Sequence, residues 1–374
     1  SDKIMKRILA INPGSTSTKI AVYNDEKAVL VKKIMHTREE LAPFKDFMEQ
    51  FEFRKQVVLK TLEEENIPFE FDAIVGRGGL GKPIEAGVYE VNQLMLDDVA
   101  KAGRRHACNL GCSLALTISK EFPGCRAFIA DPGDVDELDD IARIGGLPEM
   151  PHEPIWHALN QRAVARRFAK EHNTRYEDLD LVCCHMGGGI SLAAHRHGRA
   201  VDANNALDGD GPFTPERTGT LPAGDLVHLC FSGKYTQNEV MNIIKSHGGL
   251  AAHLGTNDMM EVERRMTEGD EKFKLYIDAL AYQISKGIGG LSTFFCGKVD
   301  AIILTGGIAY FRYLVEEIKR RVGFIAPVYV YPGEDEMEAL ALNALAVLTG
   351  RREVKEYVTP CATNLSCLVS GKIS

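Results

Sequence analysis

Residues 12–19, Asn-Pro-Gly-Ser-Thr-Ser-Thr-Lys, crowd hydroxyls and backbone N–H groups into one bend and follow them with a point charge. That donor set suits phosphate oxygens, with Ser15, Ser17 and Lys19 as its candidates. A second constellation, His185 followed by Gly187, Gly188 and Gly189, opens the backbone itself to a ligand. A third, Gly306, Gly307 and Ile308, ends an apolar run and precedes an amphipathic stretch, a seat for a nucleoside. A Ser/Thr-rich bend by itself is commonly only a turn, so the argument rests on the recurrence.

The elements that must position these residues are legible around them. Ile8 to Ile11 and Lys19 to Tyr23 read as two strands, with Pro13 and Gly14 forcing the bend between them. Leu181 to His195 repeats strand, glycine-rich turn and strand, and Val299 to Ala309 gives a further buried strand. Two such hairpins far apart in one chain predict a duplicated fold with a nucleotide held between its halves. A length of 374 residues exceeds what one core usually supports, so two domains are expected. Prolines 148, 151 and 154 mark the boundary: 5–150 plus 335–374 for one domain, 151–334 for the other. Met337 to Leu348 is an apolar helix that crosses back to complete the first domain. Phe44 to Leu62 has the spacing of one long amphipathic helix, and Thr256 or Asn257 is the expected N-cap of the helix over 259–266.

Other candidates carry a bland reading beside the chemical one. Gly76 to Pro83 matches Gly-x-Gly-x-x-Gly and approaches a nucleotide-binding lysine loop. Pro83 and the extended look of Ile84 to Val91 deny the helix that either motif requires. Asp131 stands at the carboxyl end of a strand over Ala127 to Ala130, where α/β sites collect ligands. Arg217 offers a planar fork suited to phosphate, or is a surface arginine. His157 heads a helix, a position more often structural than catalytic. Arg104 and Arg105 read as a solvated basic face or as ligands. Val201 to Pro212 reads as a loop whose Asp202, Asp208 and Asp210 are turn chemistry, since calcium-loop spacing is missing.

Acidic residues outnumber basic ones, 52 to 44, for a net charge of −8. That balance argues against a nucleic-acid or membrane-surface partner. Nine cysteines show no CxxC pair and no zinc spacing, so reduced thiols are expected and the Asn364-Leu365-Ser366 sequon carries no meaning. With no signal pattern or 18-residue apolar run, a cytoplasmic protein is expected, Ser1 to Ile4 being a non-native remnant ahead of a start at Met5.

Asn12–Lys19, His106–Gly111, Ala130–Leu138, His185–Ser191, Pro215–Leu226 and Leu304–Ala309 together make the chain resemble the acetate and butyrate kinase family, its butyrate branch most closely. That family lies within the acetate and sugar kinase, Hsp70 and actin superfamily, and Asn12 replaces the Asp that opens the first loop in sugar kinases and chaperones. The resemblance implies an α/β fold of two duplicated ribonuclease H-like domains with the active site in the cleft between them. It implies direct in-line transfer between ATP and a short-chain fatty acid, butyrate first, acetate or a branched acid as alternatives, yielding acyl phosphate and ADP. An ATP-gated binding module of chaperone or actin type is the rival in another class.

By the same resemblance, Asp131, His157 and Arg217 serve catalysis. Asn12 with Glu336 holds Mg2+, Glu334 and Asp335 remaining open, and His106 and Asn109 meet the acid. Arg77 stands where the family has a histidine, so the carboxylate partner is open among Arg77, Arg104 and Arg105. Ala107, Cys108 and Leu110 are the expected pocket wall. Small-molecule substrates and a homo-oligomer built from dimers complete the implied picture.

Overall fold

Arg7–Pro13 (β1) and Ser17–Asn24 (β2) pair antiparallel across the first bend, with Asn12 opposite Lys19. The structure is a computed structural model that describes residues 4–102 and 106–358. Arg104 and Arg105, Cys361, Cys367 and the sequon at Asn364 lie outside the described residues. Ile8 to Ile11 and Ile20 to Tyr23 are all buried, as continuous apolar runs covered on both faces should be. Lys27–Met35 (β3) extends the meander along β2 with its alternating residues partly in water. Ala73–Gly76 (β4), Val88–Glu90 (β5) and Arg126–Ala130 (β6) continue the sheet on the other side of β1, β4 parallel to both β1 and β6. The spatial order is Lys355–Glu356, β5, β6, β4, β1, β2, β3.

Leu9, Ile11, Ile74 and Ile129 of this sheet share one core with Val58 and Leu62 of the helix Phe51–Glu64 and Leu114 and Ile118 of the helix Gly111–Ser119. The helix Glu336–Leu348 packs on β1 and β4 and is buried on most of its length, as its largely apolar sequence requires. Asp335 caps it, its carboxylate accepting the Glu338 N–H at 2.9 Å. The single helix expected over Phe44 to Leu62 instead begins at Phe51. Asp46 starts a 3-10 turn over Phe47–Gln50 first, because its carboxylate accepts from Met48 and Glu49 N–H.

The second unit repeats that topology. Asp180–Met186 (β7), Ile190–Arg196 (β8) and Arg199–Ala203 (β9) form an antiparallel meander, and β7 then takes Ala301–Gly306 (β10) as a parallel neighbour, followed by Val328–Pro332 (β11). The order is β11, β10, β7, β8, β9. Alternation along β7 serves two cores: Val182 and Cys184 pack in the cluster that holds Ile277 and Ile284 of the helix Glu271–Ser292. Leu181 and Cys183 pack with Ala165 and Phe168 of the helix Ala158–Glu171.

Three readings change here. The first change-over between the compact units falls at Val135/Asp136, ahead of the prolines, while the second falls at Glu334/Asp335, where the sequence reading put it. Asp139 N–H already bonds the Val201 carbonyl of β9 at 2.8 Å, so the chain docks on the second unit before it reaches Pro148. Val201 to Ala203 are strand rather than loop. The cap of Met259–Thr267 is Asp258, which accepts from Met260 and Glu261 N–H, while the Thr256 hydroxyl accepts from Asp258 N–H one step earlier.

Candidate active site

In the second unit, β7 delivers His185 and the turn to β8 carries the three glycines. Gly187 N–H bonds the Gly189 carbonyl at 3.0 Å, and the Thr214 hydroxyl donates to the Gly188 carbonyl at 2.8 Å. Two of the glycines leave room for the side chains that lie against them. A Cβ at Gly188 would stand 2.9 Å from Glu216 Oε1, and one at Gly189 would stand 2.2 Å from an Arg217 terminal nitrogen. Arg217 is half-buried against this turn and donates to the Ala206 carbonyl at 2.8 Å, and burial lowers its pKa.

His157 precedes the helix Ala158–Glu171 in left-handed conformation, φ 55°, a region that non-glycine residues occupy where surroundings force it. Its ring stacks on His185, centroids 3.8 Å apart and planes 14° from parallel. Ser191 Oγ donates to the Trp156 carbonyl and lies 2.7 Å from His157 Nδ1, so that nitrogen carries the proton and donates to the hydroxyl. His185 Nδ1 likewise donates to Asn160 Oδ1 at 2.6 Å, and its Nε2 lies 3.6 Å from Glu334.

The glycine turn and the third constellation line one cavity of about 350 Å3, formed by Gly187, Gly188, Pro215, Glu216, Asn257, Met259, Gly307 and Ile308. That volume lies in the range of small-molecule sites. Gly306 enters the second turn at φ 91° with Met186 backbone oxygen 2.3 Å from where a Cβ would stand, so no other residue fits.

In the first unit the bend is closed by Gly14 N–H on the Ser17 carbonyl, 2.8 Å. Ser15 and Thr16 are exposed at its tip, Ser17 and Lys19 half-buried. Asn12 Nδ2 donates to Glu336 Oε2 at 2.6 Å, and Arg77 reaches Glu336 Oε1 at 3.1 Å. Asn12 Oδ1 is buried with no hydrogen-bond partner. Of the three acidic residues in question, Asp335 is occupied as a cap and Glu334 faces His185, which leaves Glu336 beside Asn12.

Asp131 is also left-handed, φ 39°, and buried, and its Oδ1 accepts Gly87 N–H at 2.8 Å. His106 and Asn109 are engaged locally: His106 caps the start of the 3-10 turn Ala107–Leu110 and its own N–H donates to Asn109 Oδ1 at 2.7 Å, while Asn109 Nδ2 holds the Gly79 carbonyl at 3.0 Å. Ala107 and Leu110 have no exposed surface, so of the expected wall residues only Cys108 is partly accessible. The Gly76–Pro83 loop is tied down by Asp134, whose Oδ2 accepts Leu80 and Gly81 N–H, and no helix follows it. It is not a dinucleotide loop.

Sequence reasoning missed Ser191, Asn160, Glu216, Asn257 and Arg54, whose roles depend on neighbours distant in the chain. Arg54 sits beneath the first bend. Among the described residues no helix is long and apolar enough to cross a membrane, and no cluster of three metal-ligating His, Cys, Asp or Glu occurs.

Residues 156–322 match the model of the acetokinase family. A probable butyrate kinase of Bacteroides thetaiotaomicron is 58% identical over 351 residues, covering 94% of this chain and 99% of the relative. Butyrate kinase 2 of Clostridium acetobutylicum is 52% identical over 354 residues, with 94% and 99% covered. Among solved structures, an acetate kinase of Porphyromonas gingivalis superimposes with a TM-score of 0.76 at 18% identity, over 92% of this chain and 100% of that one. A propionate kinase from Francisella tularensis gives 0.72 at 17%, over 91% and 99%. These two likenesses concern the fold.

Proposed function

We propose, from the premise that this chain belongs to the acetokinase family with butyrate kinases as its relatives, that it moves the terminal phosphoryl group between ATP and butyrate. The products are butyryl phosphate and ADP, and the reaction runs in both directions. The observation that carries this reading within the structure is the shared cavity: a phosphate-type glycine turn and a nucleoside-type Gly-Gly-Ile turn open on one space, with Arg217 against the first.

The carboxylate acceptor is already ionised at neutral pH and needs no general base. The task is therefore position and charge compensation as the phosphoryl group passes between two oxygens. Arg217 supplies a fork of donors for its equatorial oxygens, anchored at one end by the Ala206 carbonyl. His157, its Nδ1 proton committed to Ser191, directs chemistry to Nε2, and the His185 ring fixes its plane. Ser15, Ser17 and Lys19 hold phosphate oxygens in the first unit. Glu216 and Asn257 are the polar groups available to a nucleoside in the cavity.

Mg2+ fits Asn12 and Glu336. A buried amide oxygen without a donor beside a carboxylate is the oxygen-only chemistry this hard cation takes, together with water and substrate phosphates. Bound there, the ion would neutralise charge on phosphate oxygens. Asn12 would offer Oδ1 while its amide N–H orients Glu336. Arg77, already paired with Glu336, acts on that carboxylate first, so its role toward the acid is indirect.

An acid-length series with ATP and magnesium tests the function. Each methylene buried is worth about 0.8 kcal/mol, so two more than acetate favour butyrate by roughly tenfold in kcat/KM. The expected profile peaks at four or five carbons. A maximum at acetate would move the substrate assignment, and no phosphorylation of any short acid in either direction would refute it.

A further inference from the structure

The helix Phe51–Glu64 sets Arg54 under the Ser15–Ser17 bend with no exposed surface at all. A guanidinium has five N–H bonds, and each is used on a neutral acceptor. Nε and one terminal nitrogen donate to Gln50 Oε1 at 3.0 and 2.8 Å. The other terminal nitrogen reaches the Ser17 carbonyl at 2.7 Å and the Thr18 hydroxyl at 3.2 Å, and the Ser15 carbonyl is bound at 3.4 Å. Among the described residues no carboxylate pairs with it. Burial brings its pKa down only to about 10, so it is a cation at neutral pH. The titratable neighbour bonded to the same Thr18 hydroxyl, His36, is held below its ordinary pKa by burial first and then by Arg54 itself, so it brings no negative charge.

A buried cation with only neutral partners is costly, and a protein gains by replacing such a group unless an anion arrives. The geometry of the bend says from where. Arg54 holds the Ser15 carbonyl, and because the peptide is planar and trans, the Thr16 N–H on the same plane points away from the guanidinium. The exposed tip is left with donors and hydroxyls, and the positive charge stands directly behind them.

We propose that Arg54 is the charge-balancing and positioning residue of this bend, and that its counterion is the phosphate group of the substrate, which completes an ion pair through one layer of backbone. The proposal rests on the reading of the bend as a phosphate site. It makes the affinity of the bend for phosphate an electrostatic property of a residue that never touches the ligand.

Calorimetric titration of the nucleotide-free protein with inorganic phosphate tests it, alongside KM for the acyl phosphate. Three variants are compared: Arg54→Met, Arg54→Lys and Lys19→Ala. The expected result is a loss of phosphate affinity of about tenfold or more in Arg54→Met, with a matching rise in KM and a melting temperature equal to or above the parent. Arg54→Lys, which keeps the charge and forfeits the carbonyl bonds, should retain affinity within about threefold. A merely structural arginine would give a lower melting temperature and unchanged phosphate affinity, and that outcome overturns the proposal. Should Arg54→Met fail to fold, Arg54→Lys decides, because a loss as large as that of Lys19→Ala would show that geometry and not charge matters. Weakened binding in Lys19→Ala with none in Arg54→Met removes the proposal and leaves the phosphate site standing. No change in either removes both.

Discussion

Replacing Gly189 by alanine is the sharpest test of the role given to Arg217, because the fold should tolerate it and the chemistry should not. The new methyl carbon would lie 2.2 Å from an Arg217 terminal nitrogen and 3.1 Å from its central carbon, where ordinary contact begins near 3.4 Å. The guanidinium must therefore retreat by about 1.2 Å. Gly189 has no left-handed backbone requirement, and the atom struck is the tip of a flexible side chain, so the turn itself need not move. The stability cost is bounded by the bond to the Ala206 carbonyl, about 1.5–3 kcal/mol for a charged donor if it is lost outright, and less here because the half-buried group can recruit water. Displacement of a catalytic group by about 1 Å is worth roughly 100-fold in rate, or about 2.7 kcal/mol of barrier. The assay is steady-state acyl phosphate formation trapped with hydroxylamine, with a melting curve on the same sample. We expect kcat to fall about 100-fold and the melting temperature by a few degrees. The double variant Gly189→Ala/Arg217→Ala should be no slower than Arg217→Ala alone, since both changes remove the same contact. A kcat within threefold of the parent, or additive losses in the double variant, would refute the placement of Arg217 at the reacting group.

Arg217→Lys keeps the charge but not the fork, so most activity should be lost with little change in melting temperature; full activity would make it a surface arginine. Asn12→Ala should lower turnover roughly a hundredfold and raise the magnesium concentration needed for half-maximal rate, and an unchanged magnesium dependence would remove Asn12 from the metal site. His195 is held by burial, and secondarily by Arg162, at a pKa of about 3, with its ring nitrogens on Tyr176 and Gln161. Its folded pKa is depressed, so between pH 6.5 and 3 the unfolded chain takes up a proton that the folded one refuses. Stability should fall as pH drops through that window, by about 2 kcal/mol from this residue at pH 5, and His195→Gln should flatten the pH dependence of the denaturation midpoint.

The duplicated hairpins were readable because their signals are local. An apolar run, a bend forced by Pro13 and Gly14 or by three glycines, and a second apolar run specify a strand pair without help from the rest of the chain. The boundary at Val135 was not readable, since it depends on one hydrogen bond from Asp139 to a strand some sixty residues later, whereas prolines mark only irregular backbone. Asp258 displaced Thr256 and Asn257 as a cap because all three are capping types and only the path of the chain decides between them. Asn12 and Glu336 were named as a pair from resemblance, and the fold puts the two side chains 2.6 Å apart. Arg54 carried no signal: an arginine four residues after a glutamine on a helix looks like a solvated pair, and its burial follows from the sheet above it.

The return of the helix Glu336–Leu348 to the first sheet has a consequence for how the protein comes into being. Emerging from the ribosome, the second unit is contiguous, so its sheet and both its cores can form while synthesis continues. The first unit is interrupted. Its β1 and β4 are made early, yet the helix that covers them is made after Glu334, so one apolar face of the oldest strands waits through the whole translation of the middle of the chain. That nascent sheet is the natural client for a chaperone, and rare codons or stalls between residues 136 and 334 should cost soluble yield more than the same stalls after 348. Glu336 rides in on that last helix. Its contact with Asn12 therefore forms only after the second unit has been made.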